Sequence, residues 1–383
     1  MHINGFIRQN FRCSLRGAAC PLRRGWAQTL LLTLALSAQA VAAATPLIKS
    51  WNTSNGARVM FVEAQSIPML DVRLVFDAGS ARDDGKPGIA KLVSALLTDG
   101  AGEWNADQLA ERFESVGAVF STTSLRDMGI MSLRTLTDEE VLESSLATFA
   151  RVISAPTFPE EAIERRKKQA YVALQKQQES PASTASIAFY EQLYGDHPYA
   201  HDPLGTAQSI EALTREDIES WFRRYYVGSN AVIAIVGAVG REQAEEIAER
   251  LMQGIAAGEK PEPIAAVKIP AEGSEKSIAF PSSQTHLQFG QPVMARLDED
   301  FYALYVGNHM LGGSGLVSML GEEVREQRGL AYSVSSYFLP MRAKGPYLFS
   351  AQTRNEQSEE TLRVMQQTLR EFIDKGPSKK RLV

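Results

Sequence analysis

Histidine is the side chain best suited to gripping a metal or moving a proton near neutral pH, and the 383-residue sequence contains five. His197 and His201 stand four residues apart in G-D-H-P-Y-A-H-D-P-L-G, the interval at which a helix stacks two side chains on one side. Pro198 places this stretch in a loop, where that interval aligns nothing, so the pair reads as a structural turn. His286 falls in a strand-like segment and His309 on an apolar helical face, both places for packed or surface groups. The run Gly312, Gly313, Ser314, Gly315 lacks the preceding strand, the lysine and the spacing of a phosphate loop, and reads as the turn that opens a helix. No serine, histidine and aspartate arrangement stands out as a nucleophilic relay.

The elements that must position these residues follow from periodicity. Alternation predicts strands over 58–62, 70–77, 118–125 and 129–136, and an apolar strand over 231–236. Helical spacing predicts helices over 88–97, 107–116, 138–154, 159–178, 182–194, 214–225 and 241–252. A Pro-, Gly- and Ala-containing stretch, 256–273, reads as a linker. Beyond it the order begins again: strand 285–290, helices 298–310 and 319–327, strands 332–339 and 345–352, and helix 356–374. The expected fold is therefore α+β, with two like domains of mixed sheet plus helices, residues 45–255 and 274–383, facing one another. The first unit runs from Leu70 to Met252 and the second only from Thr285 to Val383, so the second domain is expected to be incomplete, with an apolar sheet face left uncovered.

At the start of the chain Arg8, Arg12, Arg16, Arg23 and Arg24 precede the apolar run Leu30 to Ala44, and the first acidic residue is Glu63. A basic region, an apolar core and small residues in that order read as an export signal over residues 1–44, with a mature start near Ala43 or Thr45 and a periplasmic or secreted destination. A membrane anchor needs a longer apolar run, about 20 residues; an Arg-rich, acid-free start is shared by mitochondrial transit peptides. Both cysteines, Cys13 and Cys20, lie in this leader, so the mature chain is expected to have no disulfide or thiolate–metal chemistry. Loss of five arginines and no acid moves the formal charge from -5 to -10, which argues against a nucleic-acid partner. No stable membrane span is expected after cleavage.

The segment Pro68 to Ala101, P-M-L-D-V-R-L-V-F-D-A-G-S-A-R-D-D-G-K-P-G-I-A-K-L-V-S-A-L-L-T-D-G-A, resembles the strand, Ala-Gly-Ser turn and metal-binding helix of the pitrilysin/insulinase zinc peptidases. In active members that helix carries H-x-x-E-H: two imidazoles one turn apart hold zinc and the glutamate activates water. The matching positions here are Lys91, Ser94 and Ala95. The family's third ligand is a glutamate on a later helix, and counting back from Pro181 through Y-V-A-L-Q-K-Q-Q-E-S-P puts Ala173 there. An ammonium repels a dication, a methyl group offers no lone pair and a hydroxyl is a poor base. The resemblance thus implies a degenerate site: no intact catalytic residue, no bound metal and no cofactor of its own.

A second family phrase is present in G-E-E-V-R-E-Q-R-G-L-A-Y-S-V from Gly321. Active complexes set an arginine and a tyrosine, seven residues apart, against the zinc site of the opposing domain, and Arg325 and Tyr332 keep that spacing. Both can donate hydrogen bonds to a peptide carbonyl as it becomes negative under attack by water. The resemblance further implies that peptide adds as a strand along 118–125. The expected function is a non-catalytic subunit of an exported heteromeric metallopeptidase, paired with an H-x-x-E-H homologue that holds the zinc and acting on unfolded peptide. The alternative is a peptide-binding or structural protein on the same fold with no role in proteolysis.

Overall fold

The computed structural model describes residues 46–378 and residue 381. The basic leader, both cysteines and Lys379 and Lys380 lie outside the described residues. The first lobe opens with β1 (Lys49–Asn52), β2 (Arg58–Glu63), β3 (Met69–Phe76), α1 (Ile89–Leu96), a hairpin of β4 (Gly100–Ala101) and β5 (Trp104–Asn105), and α2 (Ala106–Glu114). It continues through β6 (Val119–Ser124), β7 (Gly129–Leu136), α3 (Glu139–Ser154), α4 (Glu160–Gln178), α5 (Pro181–Tyr194), α6 (Ala207–Ala212), α7 (Arg215–Tyr225), β8 (Ala231–Gly237) and α8 (Arg241–Met252).

Six of its eight strands form one sheet in the order β1-β2-β8-β3-β7-β6, in which only β2 and β8 run parallel. Alternation explains the layering. In β3, Leu70, Val72, Leu74 and Phe76 are buried at 1% exposure or less, while Asp71 and Arg73 turn to the opposite face. Ile233 and Ile235 of β8 and Met131 and Leu133 of β7 continue the buried face, against which α3, α7 and α8 pack. The other face carries polar groups, among them Arg134, which donates to both oxygens of Asp71 directly across the ladder at 2.7 and 3.1 Å. Strand β6 forms an edge, so alternate backbone groups along it have no partner strand.

The second lobe consists of β9 (Gln284–Met294), α9 (Phe301–Asn308), β10 (Ala331–Phe338), β11 (Gly345–Arg354) and α10 (Ser358–Lys375). Its antiparallel sheet has the order β10-β11-β9. Phe349 and Ala351 point to Val364 and Met365 of α10, whereas Leu348, between Tyr347 and Phe349, packs with Phe189, Leu193 and Tyr194 of α5 in the first lobe. The element order strand, helix, hairpin, helix is common to both lobes, giving a mixed α+β architecture.

Two helical segments depart from the periodic reading. After Asn308 the turn widens to a π-type turn over His309–Gly313, and a second π-type turn, Gly321–Glu326, replaces the helix expected over 319–327. At the second, the chain comes close enough that position 321 has no room for a side chain: a Cβ at Gly321 would lie 2.4 Å from the carbonyl oxygen of Gly315. The four-residue β1, the short β4–β5 hairpin and α6 went unread because elements this brief carry little periodic signal.

The lobes are joined by more than the stretch 253–283, which has no helix or strand. Arg342, in the loop between β10 and β11, donates from its guanidinium to Asp77 and from its backbone N–H to Asp127, both at 2.7 Å. Asp77 is buried and also takes a bidentate bond from Arg82 at 3.0 and 2.7 Å; Arg82 in turn donates to the Glu262 carbonyl of the connecting stretch. Tyr199 donates its hydroxyl proton to Asp127 at 2.5 Å and accepts from the Ala343 N–H at 3.0 Å. Burial and Asp127 together hold this phenol well above the usual tyrosine range.

Candidate functional site

Helix α1 carries Lys91, Ser94 and Ala95, and it is pinned at both ends. Before its first turn the Asp83 carboxylate, 2% exposed, accepts from the Gly88 N–H at 2.8 Å and the Ala90 N–H at 3.1 Å, filling donors that a helix start leaves open. His201 donates from Nε2 to the same carboxylate at 3.0 Å. Burial raises the Asp83 pKa, and these hydrogen bonds pull the other way. Beyond its last turn Asp99, 5% exposed, accepts from Arg165 at 2.8 Å and from Arg166 at 2.6 and 3.2 Å, which fastens α1 to α4.

Between those anchors α1 presents an exposed Lys91 and a half-buried Ala95 four residues on, while Ser94 is buried. The Ser94 carbonyl accepts from Thr122 Oγ1 of β6 at 2.7 Å, so the strip lies beside the free sheet edge. Ala173 sits half-buried on α4, which packs against α1. These four side chains supply an ammonium, a hydroxyl and two methyl groups. That donor set does not fit zinc, which takes imidazole, thiolate or carboxylate ligands. Among the described residues no group of three or more His, Cys, Asp or Glu could hold a metal ion.

The second locus is the turn joining Gly321–Glu326 to β10. Val324 and Leu330 are buried, with the Leu330 N–H bonded to the Val324 carbonyl at 2.9 Å. Gly329, at φ +60, reverses the chain between them through a left-handed conformation that a side chain resists. As a result Arg325 and Tyr332, seven residues apart in sequence, come together: the guanidinium carbon lies 5.0 Å from the centre of the phenol ring. Tyr332 is 78% exposed, and the one ion pair of Arg325 among the described residues is with its neighbour Glu326 at 3.5 Å. Among the described residues neither side chain donates a hydrogen bond to another group, which leaves donors for an incoming carbonyl oxygen.

The remaining candidates are accounted for by packing. His197 accepts from the Tyr199 N–H at Nδ1 and donates from Nε2 to the Ala265 carbonyl at 2.9 Å, which ties its loop to the connecting stretch. His286 lies in β9 opposite Gln352, and His309 is exposed at the end of α9. Gly312 is buried beside a reciprocal bond between Asn308 and Ser336. Sequence reasoning missed the anchoring carboxylates. Asp99 could have been suspected from its place just past α1, facing the Arg165–Arg166 pair of a charged helix; Asp77 and Arg342, 265 positions apart, left no local trace.

Comparison with known proteins agrees with this geometry. Residues 58–207 match the model for insulinase (peptidase family M16), and residues 212–383 match the model described as peptidase M16 inactive domain. A crystal structure of a peptidase M16 inactive domain from Pseudomonas fluorescens is 40% identical, with a TM-score of 0.86 over 88% of this chain and 81% of that one. An uncharacterized zinc protease of Rickettsia bellii is 26% identical over 80% of this chain and 73% of its own length. The non-peptidase homolog YmxG of Helicobacter pylori is 26% identical over 85% of this chain and 74% of its own. With both family models matched and a 40% identical relative aligned over 88% of this chain, the chain belongs to the M16 peptidase family as a member whose described site, lacking zinc ligands, fits a non-catalytic role.

Proposed function

We propose that this chain is the non-catalytic subunit of an exported, heteromeric zinc metallopeptidase. The partner is a homologue with an intact H-x-x-E-H helix, and the pair encloses an unfolded peptide. This chain binds peptide as a strand added to the β6 edge. It lends Arg325 and Tyr332 to the partner's zinc site, where they donate to the carbonyl oxygen that gains charge as water attacks. The observation that carries the reading is the contrast in chemistry: the α1 strip offers no ligand to zinc, while a half-buried Arg325 and an exposed Tyr332 stand together with no hydrogen bond donated to another group among the described residues.

The test is turnover by the reconstituted pair, with each chain alone as control. The Arg325→Ala, Tyr332→Phe double variant is expected to lower turnover about 100-fold, the scale of losing an oxyanion donor, with assembly by size-exclusion chromatography unchanged. Undiminished turnover would sink the donor assignment. Binding of peptide without any cleavage by the pair would leave the peptide-binding role alone.

A further inference from the structure

We infer that Lys91 is a carboxylate-reading group, which gives the strand docked on β6 a preference for an acidic side chain or a free C-terminus. The inference rests on the strand-docking part of the proposed function and adds to it a chemical class of peptide. Lys91 lies three residues before Ser94, about 4.5 Å along the helix axis, and the Ser94 carbonyl is bonded to Thr122 of the edge strand at 2.7 Å. The exposed strip of α1 therefore borders the lane that an added strand would occupy. Lys91 is exposed and, like Lys168, Lys176, Lys260, Lys268 and Lys344, makes no ion pair among the described residues; what sets it apart is its place on the strip beside the β6 edge. Ala95 and Ala173, the neighbouring positions of the strip and of α4, are uncharged, and Ser94 is buried.

A strand on the β6 edge would place alternate side chains toward α1. The ammonium offers three donors and a full positive charge there, with no ion-pair partner among the described residues. The chemistry it selects is a carboxylate; the two sources are a glutamate or aspartate side chain and the terminal group of a short peptide. The position that would repel a zinc ion thus acquires a use of opposite sign, holding an anion.

The test is peptide affinity by fluorescence anisotropy on the whole chain. Three labelled peptides share one extended sequence: central Glu with an amidated end, central Gln with a free end, and central Gln with an amidated end. The wild-type chain is expected to bind at least one carboxylate peptide about fivefold more tightly than the neutral one, the upper range for an exposed ion pair, with the two carboxylate peptides revealing which source is read. Lys91→Met is expected to abolish the ratio and Lys91→Glu to reverse it toward a central Lys peptide. A peptide N-methylated on alternate residues cannot form the backbone ladder; if it binds as well as the parent, strand docking and this inference both fall. If N-methylation abolishes binding while Lys91→Met keeps the wild-type ratio, this inference alone is overturned.

Discussion

Helix α1 and the turn that carries Arg325 are held by different means. Two buried carboxylates fix α1: Asp83 at its start, reinforced by His201, and Asp99 beyond its end, clamped by two arginines. The Arg325 turn relies on a left-handed glycine and on the buried side chains of Val324 and Leu330. Yet the rigidly anchored element presents side chains that cannot hold metal, and the turn presents two free donors. Precision of placement and the chemistry of the placed group are separate properties, and this chain has kept them apart.

The sharpest way to break the comparison is to return ligands to the anchored helix. If α1 and α4 still hold their positions well enough for metal, the triple variant Lys91→His, Ala95→His, Ala173→Glu is expected to take up zinc stoichiometrically, as read by metal analysis after dialysis; no uptake would show that the scaffold has drifted from ligand geometry. A second test removes an anchor. Asp99→Ala leaves Arg165 and Arg166 facing a cavity without their carboxylate, and a loss of about 3 kcal/mol in chemical denaturation is expected; a loss under about 0.5 kcal/mol would mean that the clamp adds nothing. The smallest effect belongs to the other locus. Arg325→Ala and Tyr332→Phe are each expected to change stability by less than about 0.5 kcal/mol, because Tyr332 is exposed, Arg325 is only half-buried, and neither carries a buried hydrogen bond among the described residues. A larger loss would recast the pair as structural.

Much of the fold was legible wherever burial alternates cleanly, as in Leu70, Val72, Leu74 and Phe76, or where a helix is long and capped, as in α3 behind Asp138. The phrase around Arg325 and Tyr332 was legible as a motif, and the structure adds that the two side chains meet. The helix expected over 319–327 differs from the π-type turn of Gly321–Glu326 because apolar spacing at this short length does not separate a 3.6-residue turn from a wider one. Asp83 and Asp77 were invisible as anchors, and Asp99 left only the hint of its place just past α1 opposite the Arg165–Arg166 pair. A buried carboxylate reads as polar in sequence, and its partners arise from elements brought near only by folding.

The loop at Arg342 has a consequence for how the molecule comes apart. A three-stranded sheet with one long helix has a small core of its own, and here one of its faces is closed by α5 of the other lobe. Withdrawing that face would strand Asp77 and Asp127 without their Arg342 donors and expose Leu348 and the aromatic groups around it. Melting of the smaller lobe by itself therefore also gives up the contacts that tie it to the larger one, which couples the two. Calorimetry is expected to trace one endotherm with equal calorimetric and van't Hoff enthalpies, and two separated peaks would mean that the lobes are cooperative units of their own.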